Sequence, residues 1–211
     1  MRELGEGVWQ LEATGRVTAA YLVAADEPVL IDTSTRGHAS RLAGEVGAAI
    51  PRPRMIVLTH GDADHIGGAE TLRRRLGIEV WASAGDRAPD RARRPRRRPA
   101  AHAGAPLARL QPPLVDHWFE PGDTIAGLHV IATPGHTPGH VSLRRGDLLI
   151  AGDAIRTGER FRLPPRFMNA DHAQARTLGR RPRRTRRARL CRQRPRRPAR
   201  DATTKLHSHP H

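Results

Sequence analysis

Residues 59–68 read Thr-His-Gly-Asp-Ala-Asp-His-Ile-Gly-Gly and place His60, Asp62, Asp64 and His65 within six positions. Imidazoles beside carboxylates suit zinc, and also iron or manganese. His60, Asp62 and Asp64 alternate, so an extended loop would point all three one way. His65 must then point elsewhere, and the cluster could serve two adjacent divalent ions. The competing reading is a polar loop whose Asp residues cap a helix. Four ligand-type side chains in so short a run favour the metal.

A second stretch, residues 133–140, reads Thr-Pro-Gly-His-Thr-Pro-Gly-His. Two Pro-Gly turns fix the backbone on either side of His136. Asp153 follows in Ala-Gly-Asp at 151–153. His140, four residues after His136, reads as structural or as a support to the ligands. His38, His102, His117, His129 and His172 lack ligand spacing. Asp32 ends an apolar run, Val-Leu-Ile-Asp-Thr at 29–33. It either orients the metal loop as an acceptor or caps the next turn.

These residues need rigid elements to hold them. Alternating or apolar runs predict strands at 7–12, 18–25, 29–33, 55–58, 79–82, 128–133, 141–144 and 148–151, and order returns at 115–119. The spacing of Leu42, Val46 and Ala49 predicts a helix over 38–49, stopped by Pro51 and Pro53. A second helix is predicted over 67–76, and Met168–Asp171 opens another. His60, His136 and Asp153 each follow a strand. Two sets of strands alternating with helices imply two sheets face to face with helices outside. Residues 85–113 show no periodicity and read as loop, with 86–113 its Arg- and Pro-rich part.

The chain has 211 residues, enough for one domain with a real core. No run is long and apolar enough to span a membrane. The N-terminus lacks the apolar core of a signal peptide. Cys191 is the single cysteine, which excludes an internal disulfide and a cysteine-rich zinc site. These features point to the cytoplasm.

The net charge of +16 suggests nucleic acid at first sight. Its distribution argues against that. Residues 87–98 hold seven Arg and residues 176–200 hold thirteen; outside them stand 17 basic and 20 acidic residues. Both runs mix Arg with Pro and Ala, and neither holds Lys or an aromatic ring for stacking. Such composition is what GC-rich codons give in almost any frame. The expected organisation is a domain over 1–172 and an Arg-rich tail over 173–211, frameshifted or disordered.

Together these motifs resemble the metallo-β-lactamase fold superfamily, from about residue 7 to residue 172, with a gap at 86–113. The carriers are residues 29–33, 59–68, 133–140 and 151–153. The resemblance implies an α/β fold, a four-layer αββα sandwich with an incomplete or disordered C-terminal part. It implies two divalent ions at one edge, zinc first, with His60 and His136 on one and Asp64 and His65 on the other. Asp153 would bridge them. The activity implied is hydrolysis of a small ester, lactone, thioester or amide by metal-activated water, with Asp64 handling its proton.

Two departures bear on that expectation. The family pattern is His-x-His-x-Asp-His, and Asp62 stands at the second His. A carboxylate still ligates, and it admits iron or manganese. The family also expects a last His near residue 193, yet none stands between His172 and His207. His207 in the tail is the candidate substitute. The alternatives are a catalytically impaired member lacking that ligand, and a nucleic-acid-processing member of the same fold. The latter predicts steeply salt-dependent binding.

Overall fold

A computed structural model describes residues 1–5, 7–14, 18–87, 112–156, 162–180 and 189–190. It contains a seven-stranded and a five-stranded sheet. The first sheet runs β1 (Arg2–Gly5), β2 (Val8–Gln10), β3 (Tyr21–Ala24), β4 (Pro28–Ile31), β5 (Met55–Leu58), β6 (Glu79–Ser83) and β7 (His117–Phe119), in chain order. β1 to β4 pair antiparallel, and β4 to β7 pair parallel.

Parallel neighbours need crossovers, and helices supply the first two. α1 (Ala39–Gly47) lies between β4 and β5. α2 (Ala63–Ile66) and α3 (Ala69–Leu76) lie between β5 and β6. Gly77, in the left-handed region at φ 66°, ends α3, as glycine does at many helix C-termini.

The strand period of two divides the apolar residues between two cores. Leu22, Leu30, Ile56, Leu58 and Val80 face α1 and α3, where they meet Leu42, Val46, Ala69 and Leu72. Tyr21, Val23, Val29, Ile31 and Val57 face the second sheet. That sheet has the order β12 (Arg189–Leu190), β11 (Leu148–Ile150), β10 (Val141–Arg145), β9 (Leu128–Ala132), β8 (Thr124–Ile125). Its Val130, Val141, Leu143 and Ile150 complete the inner core. β4 and β5 are apolar on both faces because both are covered, which explains runs such as Val-Leu-Ile. α4 (His172–Arg180) packs Ala175 against Gly135 in the loop after β9. The architecture is thus the αββα sandwich that the sequence implies.

Several boundaries differ from the sequence reading. β2 and β3 occupy only the centres of the runs 7–12 and 18–25. β1 and β8, two short strands without a clear alternation, were not anticipated. The predicted helix over 67–76 is α3, which begins at Ala69, and residues 63–66 form a separate helical turn, α2. The ligand loop is therefore not extended throughout. A 3-10 turn, Arg166–Met168, precedes α4, which begins at His172. Within the second Arg run, β12 pairs parallel with β11. Most of both Arg runs, together with Cys191 and His207, lies outside the described residues. No described helix is long and apolar enough to cross a membrane.

Candidate metal centre

Four strand ends meet at one edge of the sandwich. Asp32 follows β4, Thr59 and His60 follow β5, the 133–140 turn follows β9, and Asp153 follows β11. The N–H of Val141 donates to the carbonyl of Thr59 at 2.9 Å, joining the two sheets at this edge. Because β4 and β5 are parallel, their C-terminal ends arrive side by side, and the loops that follow must touch.

Six of the seven residues singled out as ligands come together. His60, His136 and Asp153 form one group of donor atoms, all within 4.8 Å of one another; Asp64, His65 and Asp153 form a second. Asp153 belongs to both. Asp62 joins the first group: its Oδ2 accepts from Nε2 of His136 at 3.0 Å and lies 3.8 Å from Nε2 of His60. Nε2 of His65 lies 3.5 Å from Oδ1 of Asp153 and 4.0 Å from Oδ2 of Asp64. The seventh, His207, lies outside the described residues.

The ring nitrogens are sorted by a few hydrogen bonds. Asp32 accepts from the Thr59 N–H at 2.9 Å and from the Thr59 hydroxyl at 2.8 Å. With its one proton committed, the Thr59 oxygen can only accept at 3.0 Å from Nδ1–H of His60. Nε2 is then the unprotonated nitrogen of a neutral His60. Asp32 also accepts from Nδ1–H of His65 at 2.8 Å, which leaves Nε2 of His65 for a ligand role. Asp32 therefore orients the ligands; it does not merely cap a turn. It sits at φ 57°, a left-handed conformation that Asp tolerates better than most residues.

His140 has the opposite arrangement. Its Nε2 accepts the backbone N–H of Asp153 at 3.0 Å, and its Nδ1 bonds the Thr133 hydroxyl at 2.8 Å. Both nitrogens are in use, so His140 supports Asp153 and is not a ligand. Burial, reinforced by His136 and His65, pushes its pKa down to about 3 and keeps it neutral.

The electrostatics suit a cation. Burial alone would raise the Asp153 carboxyl, but His65, His136 and His140 hold it down to about 2. Burial would lower His65, yet the charges of Asp32 and Asp153 hold it well above the ordinary histidine value. Nε2 of His65 is buried, and the carboxylate oxygen Oδ1 of Asp153 stands 3.5 Å from it, long for a hydrogen bond. Such a group is costly to leave unsatisfied. A divalent ion at that nitrogen fits the donor set better than a proton does.

Sequence reasoning missed Asp86. Its carboxylate accepts from the Gly61 N–H at 2.9 Å, the Thr137 hydroxyl at 2.9 Å and the Gly139 N–H at 3.1 Å. It had been absorbed into the unstructured run from residue 85. A usable signal existed: an acidic residue just past β6, the parallel neighbour of β5, must land beside the loop that follows β5.

The comparisons agree with this geometry. A sequence model described as the metallo-beta-lactamase superfamily matches residues 13–198. A hydroxyacylglutathione hydrolase of Anaeromyxobacter dehalogenans is 34% identical over 146 residues, covering 67% of this chain and 47% of the relative. The chain thus spans about half that relative's length. The BLEG-1 B3 metallo-beta-lactamase superposes with a TM-score of 0.59 at 26% identity, covering 80% of this chain and 81% of the other. TTHA1623, solved in a di-iron-bound form, superposes with a TM-score of 0.53 at 28% identity, covering 76% and 80%. With the sequence match running across nearly the whole chain and the strand-end donors in place, this chain belongs to the metallo-beta-lactamase superfamily.

Proposed function

We propose that this chain is a two-metal hydrolase of small acyl compounds, with thioesters as the first substrate class and lactones, other esters and amides as alternatives. One observation carries the reading: two groups of His and Asp donors share the Asp153 carboxylate at the edge where both sheets end. The likeness to a hydroxyacylglutathione hydrolase supports the thioester. In this reading His60, Asp62 and His136 hold the first ion, and Asp64 and His65 hold the second. Asp153, common to both groups, would serve both ions, and the tail residue His207 is assigned to the second ion on sequence alone. Zinc is the first choice. Asp62 adds a hard oxygen where the family pattern has an imidazole, so iron and manganese also fit.

When bound, such ions supply a Lewis acid and a water that ionises near neutral pH. The chain's own groups do the rest. Asp32 and Thr59 keep His60 and His65 in the tautomers that present Nε2. His140 pins the backbone of Asp153. Asp64 is the ligand carboxylate most open to solvent, its side chain 41% exposed. In this reading it takes the proton from the attacking water and passes it to the leaving group.

The test is turnover of an S-acyl glutathione, a lactone and a β-lactam by the full chain loaded in turn with zinc, manganese and ferrous iron. The expected result is thioester hydrolysis abolished by a chelator and restored by metal. Asp64→Asn should lower kcat by about 100-fold or more while the chain stays folded. A chain carrying two ions that turns over none of these substrates contradicts the reading. It would favour the impaired member, which the lack of a histidine between His172 and His207 suggests.

A further inference from the structure

We propose that Asp86 is a positioning residue that sets the distance between the two loops of the first metal site. The inference rests on the metal-centre reading given above. Asp86 ends a 3-10 turn, Ala84–Asp86, directly after β6. From there its carboxylate spans both loops. Oδ2 takes the Gly61 N–H, which lies between His60 and Asp62 in sequence. The same oxygen takes the hydroxyl of Thr137, next to His136, and Oδ1 takes the N–H of Gly139.

The approach of the two backbones is as close as it can be. A Cβ on Gly139 would fall 2.3 Å from the Asp86 nitrogen and 2.4 Å from the Gly85 carbonyl carbon. A Cβ on Gly85 would fall 2.9 Å from Cα of Gly139. Two glycines thus let the 3-10 turn press against the 133–140 turn, and the carboxylate then has little freedom. His60 comes from the first sheet and His136 from the second. Nothing in the covalent chain fixes their separation, whereas a carboxylate held by donors from both loops does. Hydrogen bonds to an ionised acceptor are the stronger kind, and a pre-set separation spares the ion the cost of ordering the loops.

Asp86 bonds the backbone of both loops and the Thr137 hydroxyl, so its effect should appear in metal affinity. The experiment titrates the metal-free full chain with zinc against a chromogenic chelator. It compares wild type, Asp86→Ala, Asp86→Asn, Thr137→Val and Asp116→Ala. The d–d spectrum of the cobalt-substituted forms is recorded beside it. Asp116 is the control. It accepts the Val80 N–H at the other end of β6 and pairs with Arg73, so its loss removes a comparable acceptor remote from the site.

The expected result is zinc affinity lowered about 10- to 100-fold in Asp86→Ala, the usual effect of losing a support to metal ligands. Asp86→Asn, which keeps one acceptor oxygen, should fall between Asp86→Ala and wild type. The cobalt spectrum should shift in Asp86→Ala, and Asp116→Ala should keep wild-type affinity and spectrum. Should Asp86→Ala not fold, Thr137→Val removes one donor of the three and should still weaken binding. Wild-type affinity in Asp86→Ala or, failing that variant, in Thr137→Val overturns the inference. So does an equal loss in Asp116→Ala. A wild-type chain that takes up no zinc overturns the metal reading itself, and the inference with it.

Discussion

Asp32 accepts three hydrogen bonds in a buried position. Asp32→Ala would leave the Thr59 N–H and Nδ1–H of His65 buried without partners. Each orphan of this kind costs about 1–3 kcal/mol. Asp32→Ala is therefore expected to lower the unfolding free energy of the metal-free chain by about 3 kcal/mol in urea titration. It should also weaken metal binding, since both imidazoles lose the group that selects their tautomers. A metal-free stability equal to wild type would contradict the assignment of Asp32. At this scale the cluster of donor side chains was legible. His60, Asp62, Asp64 and His65 are close in sequence, and Pro-Gly turns frame His136. The pairing of Asp32 with residues 59 and 65 and of Asp86 with 61, 137 and 139 was not. Those partners meet only once parallel strands bring distant ends together.

Among the elements, the junction between α2 and α3 carries a tight requirement. A Cβ on Gly68 would lie 2.5 Å from the carbonyl oxygen of Thr33 and 3.2 Å from its Cβ. Thr33 in turn donates both its N–H, at 2.7 Å, and its hydroxyl, at 2.8 Å, to the carbonyl of His65. Gly68→Ala must push Thr33 away and loosen that double bond. A loss of about 2 kcal/mol is expected, as for overpacked cores, together with weaker binding of the second ion. Unchanged thermal unfolding would argue that the junction relaxes freely.

On α1, Glu45 accepts the N–H groups of Glu12 and Ala13 at 3.0 and 2.9 Å. Its burial raises the carboxyl, but a bond from the terminal ammonium and these two N–H groups outweigh it, and the pKa lies below the ordinary glutamate value. A carboxyl lowered in the folded state stabilises above its unfolded value and loses that contribution as pH falls through the folded one. Glu45→Gln should thus cost about 1 kcal/mol at pH 7, and wild type and variant should converge as the pH falls below about 4. A gap that persists in acid would contradict this. Such a cross-chain cap has no local pattern, which is why the turn at Glu12–Thr14 was not foreseen.

Across the whole molecule, the sandwich was legible because its strands are apolar on one or both faces and end in ligands. Its short strands were less so. β8 holds two residues and β7 three, too few for a period to declare itself. This architecture brings the donors of the proposed two-ion centre to one edge from three strand ends, those of β5, β9 and β11, with Asp32 after β4 supporting them. The most direct test is the metal content per chain of the purified full-length protein, by elemental analysis, for wild type, His60→Ala and His65→Ala. The account predicts two divalent ions in wild type and a loss of one ion in each variant. No bound metal in wild type, or two ions retained in both variants, would contradict it.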